Sequence, residues 1–187
     1  MSAEEPPRGQ APLNFTPSGV LPPGDYEMTL AELRGSLLVQ GSSESSPWDA
    51  EWRMHLVDGL EVLASHLWQV GIEEVFVDGS FASDKPRPGD IDGYFVCDRM
   101  QWLSGQLQTQ LLELSPVWTW DASSRTRGEG KMQLPMWHRH RVEFFPHFGQ
   151  SSGITDEHGN ELDFPAAFRA ARETHEQRGI VKLRRER

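Results

Sequence analysis

One cysteine, Cys97, stands in 187 residues, so no disulfide can close within the chain and a reducing compartment suits it. Basic residues are outnumbered: 18 Lys and Arg against 28 Asp and Glu leave a formal charge of −10. A surface of that sign argues against coating duplex DNA, although a small local patch can still hold a nucleotide. No apolar run approaches the roughly 20 residues that a membrane-spanning helix needs. The opening MSAEEPPRGQAP is acidic and proline-bearing and carries no signal-peptide core. Repeats and low-complexity arrays are also absent. These absences together point to a soluble cytoplasmic protein, and a chain of this size buries roughly 70% of its unfolded surface.

The hydrophobic pattern supplies the rest of the organisation. Residues 1–20, rich in Pro, Gly, Glu and Ser, are expected to lack fixed structure, with residues 21–187 forming one domain. Thr29 is placed to cap a short helix before Leu30-Ala31-Glu32-Leu33. GSSESSP, residues 41–47, reads as a second flexible piece. Across residues 48–70 an apolar stripe of Trp52, Leu56, Leu60, Leu63, Leu67 and Val70 predicts a one-sided helix that Gly71 closes. Strands are predicted at 74–78 and 90–96, and a helix at 98–114 with Met100, Leu103, Leu107, Leu111 and Leu114 on one side. A short strand at 117–120, a polar loop at 121–135, a last strand at 139–145, a helix at 164–178 and a basic end complete the reading. The order predicts an α+β fold with a small mixed β-sheet packed by helices.

The chemistry concentrates in VFVDGSFASDKPRPGDIDGYFV, residues 75–96. On an extended strand Asp90 and Asp92 share a face while Ile91 turns to the core. Carboxylates that close repel one another unless a cation lies between them. Oxygen donors suit hard cations, Mg2+ foremost and Mn2+ as a substitute. Gly79 allows a sharp turn after the first strand, and the following N–H groups with the Ser80 hydroxyl form a phosphate cradle. Ser83 either adds a hydrogen bond to phosphate or caps the turn, and Lys85 either steers a triphosphate or is plain solvated charge. Asp78 either orients Ser80 or serves turn geometry. Glu143, set between Val142 and Phe144, is the third acid, because a lone charge between large hydrophobes is costly to bury. Arg141, read on the same strand face, pairs with it or touches a phosphate. Three carboxylates facing one point can hold two Mg2+ ions for in-line phosphoryl transfer.

The arrangement of Gly79-Ser80, Asp90-Ile91-Asp92 and Glu143 resembles the nucleotidyltransferase superfamily typified by DNA polymerase β, and within it a group of small bacterial nucleotidyltransferase-like proteins. The likeness runs from Leu21-Pro22-Pro23-Gly24, through Asp78-Gly79-Ser80-Phe81 and Pro88-Gly89-Asp90-Ile91-Asp92, to Gly179-Ile180-Val181-Lys182-Leu183. It implies a minimal nucleotidyltransferase fold, metal held by Asp90, Asp92 and Glu143, and nucleoside triphosphate gripped at Gly79-Ser80. It also implies that Glu143 helps activate the attacking hydroxyl. Glu replaces the more common Asp as third acid, and the short chain leaves little room for a separate nucleotide-clamping domain. Compact members often occur in toxin–antitoxin pairs, so a partner protein joins tRNA and small molecules as acceptors implied by the resemblance.

The remaining candidates carry blander readings beside the functional ones. His138, His140 and His147 suggest zinc, but on a strand the first two would point away from Glu143, and no cysteine lies near. Arg125, Arg127 and Lys131 either close over a nucleotide or belong to a solvated loop. Trp52, Trp68 and Trp102 fall on helical stripes, whereas Trp118, Trp120 and Trp137 could stack on a base. Lys182, Arg184, Arg185 and Arg187 form a basic tail read as a frayed end. The expected activity is Mg2+-dependent transfer of a nucleotidyl group to a hydroxyl. The rival is an inactive nucleotide- or partner-binding module on the same fold, and a phosphohydrolase ranks lower for want of a histidine-rich metal shell.

Overall fold

The computed structural model describes residues 13–42, 47–171 and 174–186. Strand β1 (Asp25–Met28) leads into helix α1 (Leu30–Gly35) through a capping box. The Thr29 hydroxyl accepts from the Glu32 N–H, and the Glu32 carboxylate accepts from the Thr29 N–H. The short α2 (Leu37–Gln40) follows. Helix α3 (Ala50–Gln69) then starts at Asp49, whose side chain accepts from the Trp52 N–H. Leu56, Leu60, Leu63 and Leu67 along one side of α3 are fully buried, each such side chain contributing about 1.5–3 kcal/mol of burial energy.

Strand β2 (Val75–Asp78) is buried throughout and ends in a 3-10 turn, Gly79–Ala82. Strand β3 (Ile91–Val96) returns antiparallel to it. The single helix expected at 98–114 is two, α4 (Arg99–Leu103) and α5 (Gln106–Leu114), because Gly105 between them takes a left-handed φ of 78°. The break leaves Met100 and Leu103 on the surface. Residues 117–120 form no strand; Val117 and Trp118 are buried in the core as irregular chain. The polar stretch after them folds into a hairpin of β4 (Thr126–Arg127) and β5 (Met132–Gln133).

The strand expected at 139–145 is in part a helix, α6 (Pro135–His140), with Pro135 in its first turn. His138 and His140 therefore sit on that helix, and Arg141 ends it in a left-handed conformation (φ 56°). Strand β6 (Val142–His147) begins only after this reversal. A second hairpin, β7 (Ser151–Thr155) and β8 (Glu161–Asp163), precedes α7 (Phe164–Phe168), which among the described residues is the sole helix in the stretch read as helical to residue 178. The basic end contains β9 (Ile180–Leu183).

The main sheet has the order β1-β9-β2-β3-β6. β1 with β9 and β3 with β6 are parallel, while β9 with β2 and β2 with β3 are antiparallel. The fold is thus α+β with a mixed sheet. One face buries Val75, Val77, Ile91, Phe95, Val142, Phe144 and Val181 against the α3 stripe. The other carries Phe76, Tyr94 and Ile180, which cluster with Phe168 of α7. At one end of that second face stand the acids. Residues 13–20, expected without fixed structure, hold a turn from Thr16 to Val20 and a bridge from Val20 to Ser83. Residues 1–12 and most of the 41–47 piece lie outside the described residues. No helix among the described residues is long and apolar enough to cross a membrane.

Candidate functional site

The turn after β2 is built from beneath by Arg53 of α3, which has no solvent exposure. Its guanidinium donates to the carbonyls of Leu38, Phe81, Ser83 and Lys85, and the Trp48 ring covers it at 4.0 Å. Burial draws its pKa down to about 10, opposed by the charge of Asp84. Ser83 donates through its hydroxyl to the Ser80 carbonyl at 2.7 Å, tightening the same turn. Gly79 enters the turn at φ 76°, and a Cβ there would stand 2.8 Å from Asp92 Oδ2. Only glycine meets both conditions without strain.

Sheet register lines up the acids. Asp78 on β2 pairs with Asp92 on β3, and Asp92 with Glu143 on β6. Residues directly opposite in a sheet share a face, so these carboxylates form a row. Asp78 is fully buried, with Arg178 Nη2 2.6 Å from its Oδ2. Burial raises its pKa to about 7; Arg178 and the Gly79 N–H pull the other way, and Asp92 adds to the rise. Glu143 Oε1 accepts from the Leu134 N–H at 2.9 Å, with Arg125 Nη1 at 3.9 Å. Arg141 lies outside β6 and pairs instead with Glu129 at 3.0 Å. Asp90 precedes β3, and its Oδ2 accepts from Trp137 Nε1 at 2.7 Å. With its amide turned to satisfy both neighbours, Gln133 accepts from Trp137 Nε1 at 3.2 Å and donates to Glu143 Oε1 at 3.1 Å. A hydrogen-bonded chain from β5 and α6 thus ties Asp90 to Glu143.

A cavity of about 610 Å³ opens over the row. Its lining brings together Gly79, Ser80, Ser83, Asp92 and Glu143, five of the residues the sequence singles out. It does not include Asp90, held at Trp137, or Lys85, whose side chain is exposed. Lys131 from the β4–β5 hairpin and Arg178 also reach it, beside an apolar end made by Phe145 and Phe168. Trp118 and Trp137 are buried, and Trp120 packs on the core with its Nε1 donating to the Phe144 carbonyl. None of these three tryptophans lines the cavity.

Asp92 and Glu143 side by side form an all-oxygen donor set, which fits a hard divalent cation such as Mg2+. Among the described residues no group of three His, Cys, Asp or Glu side chains stands ready as a metal cage. His138 is engaged elsewhere, with its Nε2 2.8 Å from the Thr126 hydroxyl. Arg178 has no functional reading in the sequence, and Asp78 has one only beside turn geometry; the structure joins the two at the cavity's edge. The sign that could have found Asp78 is its position at the end of an unbroken apolar strand, where a charge needs a partner.

A model for a family of unknown function, DUF6932, matches residues 13–184. No curated protein and no solved structure matches the chain.

Proposed function

We propose, for a chain that belongs to the DUF6932 family of unknown function, a Mg2+-dependent nucleotidyl transfer from a nucleoside triphosphate to a hydroxyl acceptor. The observation that carries this reading is the meeting of the Gly79–Ser80 turn with Asp92 and Glu143 in one cavity. The fold is read as a minimal nucleotidyltransferase core. Asp92 and Glu143 would hold the metal, with Mn2+ as a substitute, and Asp90 would join them on release from Trp137. The bound ion would offset phosphate charge and polarise the phosphoryl group under attack.

The chain's own residues supply the rest. Ser80 and the turn receive the outer phosphates. Glu143, 4% exposed and next to Asp92, would accept the proton of the attacking hydroxyl. The acceptor oxygen forms a bond to the α-phosphorus, the bond to the bridging oxygen breaks, and pyrophosphate leaves with that electron pair. A cavity of about 610 Å³ suits one nucleotide, so a protein or tRNA acceptor would offer its hydroxyl at the mouth.

The test is direct. Wild-type protein with Mg2+ should bind a non-hydrolysable triphosphate in calorimetry and transfer label to an acceptor. Asp92→Asn and Glu143→Gln should each lower transfer at least about 100-fold, in the range of lost catalytic groups. Absence of Mg2+-dependent triphosphate binding by the folded wild type would sink the reading. Two observations favour a second reading, a binding module without transfer: Asp90 is already held by Trp137, and Glu143 by Leu134. Tight binding without label transfer to any acceptor would select it.

A further inference from the structure

We infer that Arg178 is the anion-recognising residue of this cavity, set to take a phosphate group of the bound ligand. The inference rests on the nucleotide reading above and names the side chain that would read the polyphosphate. Arg178 lies in the segment between α7 and β9, and its side chain crosses to the end of β2. Nη2 meets Asp78 Oδ2 at 2.6 Å, and Nε donates to the Phe168 carbonyl at 3.2 Å. A guanidinium carries five N–H donors in a rigid fork, so these partners fix its plane without using up its donors. Arg178 lines the cavity together with Gly79 and Ser80.

The exposures separate this pair from an ordinary clamp. The Asp78 side chain is 0% exposed while that of Arg178 is 16% exposed. The acid is sealed beneath, and the base faces the open space. Arg169 also anchors the segment, gripping Asp25 at 2.8 Å and the Tyr94 hydroxyl at 2.9 Å.

Charge in the cavity gives the arginine its purpose. Asp84, Asp92, Glu143 and Glu176 line it, against Lys131 and Arg178. Lys131 is on the exposed β4–β5 hairpin, so among the described residues Arg178 is the cation fixed within the walls. An anion entering an acidic cavity binds where a fixed cation offsets that field. Arginine suits phosphate because two parallel N–H groups can meet two phosphate oxygens.

The experiment measures binding of a fluorescent non-hydrolysable triphosphate analogue with Mg2+, and of the matching nucleoside, to full-length protein. The variants are Arg178→Lys, Asp78→Asn and the pair Asp78→Asn with Arg178→Gln, which leaves no buried charge unpaired. Thermal melts confirm folding. Arg178→Lys should weaken the triphosphate about tenfold, since a point charge replaces the fork. The double variant should bind the triphosphate at least about tenfold more weakly than Asp78→Asn alone, with nucleoside affinity equal between those two. Equal triphosphate affinity for Asp78→Asn and the double variant would overturn the assignment while leaving the nucleotide reading intact. No triphosphate binding by the wild type would remove both.

Discussion

At Gly79 two demands coincide: a left-handed φ of 76° and the Asp92 carboxylate where a Cβ would project. Replacing it with alanine should cost about 1–2 kcal/mol from backbone conformation alone, before Asp92 moves aside. For a chain of this size that lowers the melting temperature by roughly 2–8 °C. Binding of Mg2+ and triphosphate should fall further than the melt explains, because Asp92 is displaced from its place beside Glu143. Calorimetry on a folded Gly79→Ala protein checks this, and unchanged affinity would show that the carboxylate's position is immaterial. The turn itself was legible, since Gly-Ser after an apolar strand admits few other conformations. Asp78 was not. Its partner Arg178 is distant in sequence, and no local pattern joins them.

At the scale of elements, what positions the site is the contact between α3 and the turn after β2. Arg53 falls on the buried side of α3, and its guanidinium holds four carbonyls, three of them in residues 81–85. Arg53→Met keeps the apolar stem but orphans those carbonyls, so it should destabilise the fold by about 3 kcal/mol or more in urea unfolding. Amide hydrogen exchange should rise first in residues 80–85. Unaltered protection there would mean that the turn holds itself. Patterns within one element read well. The α3 stripe, the Thr29 cap and the Gly71 stop all appear where the spacing places them. The α4–α5 break did not, because Met100 and Leu103 keep helical phase with Leu107 across Gly105. Nor did α6, whose end falls in the strand expected at 139–145 and whose start, Pro135, falls in the loop expected at 121–135.

For the whole molecule, the buried Asp78 sets a pH dependence. Its folded pKa, about 7, lies above the ordinary carboxyl value of 3.8, so the folded state holds a proton that the unfolded state has released. Between those values the unfolded chain binds fewer protons, and stability falls as pH rises from about 4 to 7, then levels. Fully developed, the effect is on the order of a few kcal/mol. Surface acids with lowered pKa, Glu32 and Asp49 among them, contribute in the opposite direction. The comparison is therefore between metal-free wild type and Asp78→Asn: their stability difference should change across this window in the direction given. A difference that is flat with pH would refute the assignment of the proton to Asp78.

The amino-acid sequence by itself determined the α+β class, the principal helix, the Gly79–Ser80 turn and the candidacy of Asp92 and Glu143. Each rests on contacts or periodicities spanning a few residues. Tertiary structure alone decided that Ile180–Leu183 is an interior strand between β1 and β2. The basic residues Lys182 and Arg184 read as part of a frayed end, but Ile180, Val181 and Leu183 are buried in the sheet, and Lys182 meets Glu27 and Glu74 at 3.7 and 3.4 Å. Tertiary structure also decided which acids share a cavity. Strand register sets Asp92 beside Glu143 in the cavity wall, with Asp78 next in the row but buried, while Asp90 is held by an indole from α6. Register and long-range pairing depend on where distant segments meet, and one-dimensional spacing carries no record of that.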